Sequence, residues 1–272
     1  MKITKVEAFA LYLPVHIDVL DLDQTAGLSM CMVRIETDQG QVGWGITGIT
    51  EEEVIAEVVN KVAGPAIIGL DPLAHEMIWN KLYWLLSPRG QSGYASHAIA
   101  AIDIALWDIK GKQYQAPVWD LLGGRCRDKI RLHLLGGAGT PEAMVTAARE
   151  AVAEGFTALK FDPVHHIDTG IDRMCRTAVE LVAAAREGGG PDLDIIIEVH
   201  RKLTPMTALT LAEALAPFNL YFFEDPIQID SIQTQSEVAR RSNVPMGNGE
   251  RLTTIWEFRE LLEAGGPQYV RP

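Results

Sequence analysis

Cysteine is scarce in this chain of 272 residues: there are three, Cys31, Cys126 and Cys175, widely separated and odd in number. They form no CxxC pair and no zinc spacing, which excludes a disulfide scaffold and a structural zinc module. Free thiols of this kind fit a reducing cytoplasm, and a cytoplasmic location is expected. Basic residues are also few, 24 Lys and Arg against 36 Asp and Glu, for a formal net charge of −12. That balance argues against nucleic acid or an anionic membrane as a partner, since both need a basic surface. No apolar run reaches the ~18 residues needed to span a bilayer, and none of secretory type follows Met1. Glycine, at 24, and proline, at 14, are ordinary, which excludes collagen-like and low-complexity chains.

What is present is a high apolar content, 47%, enough for a sizeable core in one large domain or two smaller ones. Lys2 to Leu13 alternates in the manner of a half-buried strand. Met30–Glu36 and Gln41–Gly45 flank Asp38-Gln39-Gly40, a hairpin signature. Helical periodicity then takes over. Ala95, Ala98, Ile99, Ile102, Leu106 and Ile109 form one apolar stripe, which predicts a helix stopping near Gly111. The run Glu51-Glu52-Glu53 suits a helix start, where acidic groups complement the dipole. Trp79, Tyr83 and Trp84 at helical spacing read as core, with an oligomer interface as the alternative. A domain boundary is placed near residue 125, giving an N-terminal α+β part over 1–125 and a second part over 126–272.

In the second part, strands and helices alternate. Strands are expected from Ile130, Thr157, Asp194, Tyr221, Pro245 and Gln268, at a mean spacing of 27.6 residues. Thr140-Pro141 and Thr204-Pro205 are helix starts, with Thr as the N-cap and Pro at the first helical position. Repeated βαβ units mean a parallel sheet, either open and doubly wound or a (β/α) barrel. No complete glycine-rich dinucleotide fingerprint follows the first strand; Leu135-Gly136-Gly137-Ala138-Gly139 lacks the full spacing.

Acidic residues favour the barrel. Glu198, Glu224 and Glu250 close three consecutive strands at intervals of 26 residues. Equal spacing predicts that all three stand at one level, at the carboxyl ends of neighbouring strands, which is the catalytic face of a barrel. Three converging carboxylates repel one another, and a hard divalent cation resolves that repulsion. Side-chain parity puts Glu198 and His200 on one face, and Lys160 and Asp162 on one face. His200 is then a proton-exchange candidate beside the metal ligands. His165-His166 is a weaker signal after the second strand. His75, His97 and His133 have no identified partner.

Taken together, these residues resemble the enolase superfamily, within it the mandelate racemase/muconate lactonizing enzyme group. The resemblance spans essentially the whole chain. It is carried by Ser96–Asp108 with Pro117 and Leu121-Leu122-Gly123-Gly124, by Glu224-Asp225-Pro226 and by Gly249-Glu250-Arg251. It implies a capping domain followed by a TIM-type barrel, and Mg²⁺ held by Glu198, Glu224 and Glu250. The first of these positions is often Asp in the family, so Glu198 is a variant. It further implies removal of the proton next to a substrate carboxylate, with an enediolate intermediate. Racemases and lactonizing enzymes of the group typically carry Lys-x-Lys on the second strand. Here the pattern is Lys160-Phe161-Asp162, and Asp162 cannot be that base. Glu198-Val199-His200, with Arg201 and Leu203-Thr204-Pro205, looks instead like the galactonate- or gluconate-type sugar-acid dehydratases. In that branch the histidine protonates the departing 3-hydroxyl, giving a 2-keto-3-deoxy sugar acid. By side-chain parity Lys160 and Asp162 are catalytic candidates, with a structural ion pair as the alternative. Arg251 is a substrate-binding candidate, and so is His16, where the family's capping domain covers the active site, with an exposed loop histidine as the alternative. The resemblance suggests an acid-sugar substrate and a homo-oligomer. The alternatives are a racemase, epimerase or cycloisomerase on the same scaffold, or a non-catalytic truncated chain.

A full barrel takes ~250 residues, so with six of eight strands expected after residue 130, roughly 80 residues of a complete barrel are expected to be missing. The family's partner base, a His–Asp pair on the sixth and seventh strands, is then expected outside this chain.

Overall fold

The structure, a computed structural model, describes residues 1–17, 24–48, 51–89, 92–164 and 170–272. Two compact units divide it, Met1–Ile17 with Gln24–Lys129, and Ile130–Pro272.

In the first unit, β1 (Ile3–Ile17), β2 (Gln24–Thr37) and β3 (Val42–Gly48) form an antiparallel sheet in that order. Thr37 and Gln41 close the tight β2–β3 turn, their backbones bonding at 3.0 Å, and Gly40 takes a positive φ of 77°. Alternation is clean along β2, where Cys31, Val33 and Ile35 are fully buried. Among the described residues five α-helices follow: α1 (Glu52–Val58), α2 (Gly64–Ile67), α3 (His75–Leu86), α4 (Tyr94–Tyr114) and α5 (Val118–Leu121). Glu52 and Glu53 do occupy the first turn of α1. The predicted stripe on α4 is the buried one, from Ala98 through Ile109. The helix does not stop at Gly111, as its sequence predicted, but runs to Tyr114. Gly111 serves as a contact point, since a Cβ there would lie 2.9 Å from the carbonyl of Ala116. The turn that ends the helix is made by Gln115, in the left-handed region at φ 52°. Trp79 and Tyr83 stack at 5.1 Å against the core, whereas Trp84 is exposed and is not core.

Among the described residues the second unit holds six parallel strands: β4 (Leu134–Leu135), β5 (Ala158–Phe161), β6 (Asp194–Glu198), β7 (Phe222–Glu224), β8 (Met246–Asn248) and β9 (Tyr269–Val270). Between them lie α6 (Pro141–Ala153), α7 (Ile171–Gly189), α8 (Pro205–Leu215), α9 (Ile232–Arg241) and α10 (Ile255–Ala264). Strand order is strictly sequential, and each helix from α6 to α10 packs on the next. A doubly wound sheet would instead reverse its strand order and alternate its helices between faces. The arrangement is barrel-type winding, with six strands described. Thr140 and Thr204 cap α6 and α8, each hydroxyl accepting a backbone N–H at 3.3 Å. Most strands are shorter than their apolar runs. The expected strand from Ile130 is reduced to Leu134–Leu135, and Ile130 and Leu132 are exposed. Among the described residues β4 has one neighbour, β5, to supply ladder bonds.

Parity divides the sheet into two faces. Leu159, Phe161, Ile195, Ile197, Phe223 and Met246 pack with the helices in one core. Lys160, Ile196, Glu198, Phe222 and Glu224 point the other way. In register, Lys160 pairs Ile196, Ile196 pairs Phe222, and Glu198 pairs Glu224. Gly247 makes room on this inner side, since a Cβ there would lie 2.8 Å from the Phe222 ring.

Candidate metal centre

Glu198 ends β6 and Glu224 ends β7, so the backbone ladder places two carboxylates side by side. Both are buried; their side chains are 6% and 1% exposed. Glu250 differs. The register partner of Glu224 is Gly247, and Glu250 lies three residues beyond it, past the end of β8. The chain reaches it through Gly249 at φ 129°. Equal spacing in sequence therefore does not put the three at one level: two sit on strands and the third on the following loop. They converge nonetheless, offering one oxygen each, with these atoms within 4.8 Å of one another.

Cations answer this charge. The Lys160 ammonium, itself buried, lies 2.6 Å from Oε2 of Glu198 and 2.6 Å from Oε2 of Glu224. Arg271 pairs with Glu224, and Arg201 with Glu250. Burial pushes the Glu250 carboxyl up, but the Arg201 guanidinium beside it outweighs this and holds it below the usual range. Arg251, expected near substrate, is exposed, and it is Arg201 that pairs with Glu250. Asp225, fully buried next to Glu224, has its carboxyl pushed up by burial; Asn248 donates to it at 3.2 Å and partly opposes the shift. Three convergent carboxylate oxygens are the donor set of a hard divalent cation, and the residues fit Mg²⁺ on that ground.

His200 lies beside the carboxylates by a different route from the one its spacing implied. β6 ends at Glu198, so strand parity does not extend to His200. A turn carries it instead, with His200 at φ 50° and Arg201 at φ 62°. Its Nε2 is 3.7 Å from Oε1 of Glu198, and its Nδ1 is 3.1 Å from Oδ2 of Asp162. The hydrogen bond to Asp162 raises the His200 pKa, burial opposing and Glu198 adding to the rise. Burial works to raise the Asp162 carboxyl, but hydrogen bonds from His200, Lys202 and the Val164 N–H hold it below its ordinary value. The Lys202 ammonium lies 2.6 Å from Oδ2 of Asp162.

Of the expected residues, then, Lys160, Glu198, Glu224, Glu250, His200 and Asp162 are brought together. His16 lies on the outer part of β1, whose side chains fall outside the described residues, as do His165 and His166. The charges that sequence reasoning missed are Arg201, Lys202 and Arg271. A signal existed, since three buried acids demand counter-charge, but nothing in the spacing identified which cations supply it. Of the unassigned histidines, His97 Nδ1 meets Thr47 Oγ1 at 2.8 Å, and His75 packs its ring 4.6 Å from that of Trp107. His133 has its pKa lowered, first by burial and then by the nearby Lys160 charge, which puts it within reach of the site's field.

The second unit matches the family description "Enolase C-terminal domain-like" over residues 143–272, and residues 3–123 match "Mandelate racemase / muconate lactonizing enzyme, N-terminal domain". The D-galactonate dehydratase of Cronobacter sakazakii is 34% identical over 241 residues, which is 88% of this chain. The chain spans 63% of that relative's length. Among solved structures, a member of the enolase superfamily from Salmonella Typhimurium is 30% identical, with a TM-score of 0.87 over 100% of this chain and 73% of its own. A racemase from Streptomyces coelicolor, solved with bound magnesium, is 28% identical, with a TM-score of 0.84 over 97% of this chain and 74% of its own.

Proposed function

As this chain belongs to the mandelate racemase/muconate lactonizing enzyme group of the enolase superfamily, we propose that it serves a Mg²⁺-dependent acid-sugar dehydratase. The single observation that carries the reading is the position of His200. An imidazole able to exchange a proton stands 3.7 Å from Glu198, beside the three carboxylates, while just past β5 Asp162 stands where Lys-x-Lys would put a second lysine.

Glu198, Glu224 and Glu250 would hold Mg²⁺, which supplies positive charge to a substrate carboxylate and makes the adjacent C–H more acidic. Lys160 adds a second, fixed positive charge at the same place. His200 gives a proton from Nε2 to the substrate's 3-hydroxyl as the C3–O bond breaks, so that oxygen leaves as water. The C2 proton passes to a base, and His200 regains a proton from solvent, so the net loss is one water. The resulting enol rearranges to a 2-keto-3-deoxy sugar acid. Similarity to the galactonate dehydratase of Cronobacter sakazakii supports this substrate class.

A cytoplasmic homo-oligomer belongs to the same reading. The oligomer is supported by Phe9, Trp44 and Ile46, exposed on the outer face of the three-stranded sheet. No helix among the described residues is long and apolar enough to cross a membrane.

The test is incubation with Mg²⁺ and a panel of aldonates, followed by assay for 2-keto-3-deoxy acids. Keto acid from one or a few of them is expected. Epimerised substrate without keto acid would overturn the dehydratase reading in favour of a racemase.

A further inference from the structure

The turn after β6 places two successive non-glycine residues, His200 and Arg201, in the left-handed region. L-residues avoid that conformation, and when it is found it usually serves a site. The surrounding backbone holds it there. The Arg201 N–H donates to Asp225 O at 2.9 Å, the Lys202 N–H to Val199 O at 3.1 Å, and the Leu203 N–H to Pro226 O at 3.1 Å. The turn's result is to send two side chains, His200 and Lys202, to one carboxylate just past the end of the neighbouring strand β5.

That carboxylate is fixed before the imidazole reaches it. Asp162 Oδ1 accepts the Val164 N–H at 2.9 Å, and Oδ2 accepts from Lys202 Nζ at 2.6 Å. Lys202 is itself pinned, donating to the Val164 carbonyl at 2.6 Å. An ionised carboxylate only accepts hydrogen bonds, so the His200 nitrogen facing it must carry the hydrogen. The other nitrogen, Nε2, is the one turned toward Glu198.

We propose that Asp162, anchored by Lys202, is a positioning residue that keeps the His200 proton on Nδ1 and so selects Nε2 as the nitrogen presented to substrate. This rests on the reading of His200 as the proton donor. When Nε2 releases its proton, the neutral ring left behind is the Nδ1–H form, which keeps its bond to Asp162. Asp162 touches neither substrate nor the reacting atoms. Its action passes through the ring.

The experiment is ¹⁵N spectroscopy of the labelled chain at a pH where the ring is neutral, with and without Mg²⁺. The His200 signals are identified by their loss in His200→Gln. Wild type is expected to show a protonated-type Nδ1 and a pyridine-type Nε2. In Asp162→Asn, the Val164 N–H holds the amide oxygen at the Oδ1 position and the NH₂ takes the Oδ2 position facing the ring, so the Nδ1–H signature is lost. Lys202→Met, which leaves Asp162 in place, is expected to weaken that signature without abolishing it. On an active aldonate, Asp162→Asn is expected to lower kcat by about 100-fold with KM and Mg²⁺ affinity nearly unchanged. An Nε2–H ring in wild type, or an Nδ1–H ring that persists in Asp162→Asn, would overturn the proposal. The expected tautomers in a chain that yields no keto acid would leave the positioning role supported and count only against the dehydratase reading.

Discussion

Glu198 and Glu224 stand directly opposite one another across the β6–β7 ladder, and the ammonium of Lys160 lies 2.6 Å from an oxygen of each. Without that bridge, two buried like charges face each other. Removing one member of a buried ionic cluster typically costs about 3–5 kcal/mol, so Lys160→Met is expected to destabilise the metal-free chain by about that much. Urea unfolding measures it. Saturating Mg²⁺ is expected to recover part of the loss, and an unchanged midpoint in Lys160→Met would contradict the bridging role.

Metal binding is open to direct measurement. A ligand that binds only the folded state adds about 2.7 kcal/mol at one hundred times its Kd. Wild type is therefore expected to melt higher with Mg²⁺, and Glu224→Gln to lose that response. Titration calorimetry distinguishes lost binding from lost folding.

The His200–Asp162 pair has a definite pH sign. The histidine is raised by Asp162, so its share of stability is complete below the ordinary histidine range and fades as pH rises through the raised value. Asp162 is lowered, so its share is present above the ordinary aspartate range and is lost as pH falls through the lowered value. The stability gap between wild type and Asp162→Asn is thus expected to be widest between those two ranges. Denaturation midpoints collected across pH give the profile; a gap that widens toward alkaline pH would be the wrong sign.

Gly45 touches α4 so closely that a Cβ would lie 1.9 Å from the carbonyl of Ala101. Backbone cannot yield as a flexible side chain can. Gly45→Ala is expected to cost about 2–3 kcal/mol, the range for forced overpacking, read as a lower melting temperature. Gly40→Ala serves as the control for crowding: nothing lies within 4 Å of its Cβ position, so its cost comes from backbone alone.

The contrast between these glycines shows what the sequence made legible. Apolar periodicity located α4, and alternation located β1 to β3, because burial of one face imposes a period. Asp38-Gln39-Gly40 marks Gly40 as a turn, but nothing marks Gly45, inside a strand, as a contact. The strand ends were legible as acids after apolar runs, and so Glu198, Glu224 and Glu250 could be grouped. Their heights could not, because a spacing of 26 residues counts loop and strand alike, and Glu250 sits on the loop. His200 was placed beside the metal ligands by parity, yet a left-handed turn brings it there. Arg201 and Lys202 follow it immediately, but their partners come from the segments after β8 and after β5, and only tertiary structure supplies those.

Arg186 donates to the carbonyls of Gly190, Pro191 and Leu193, which lead into β6, and of Phe218 and Asn219, which lead into β7. One guanidinium thus ties together the entrances of the two strands whose exits carry Glu198 and Glu224. The same two strands are fastened at one pole and chemically equipped at the other. Substitutions at the exits can retune what the centre binds without loosening the knot beneath it, and damage to the knot shifts both ligands together. A scaffold divided in this way lets selection try new chemistry while leaving its anchorage alone.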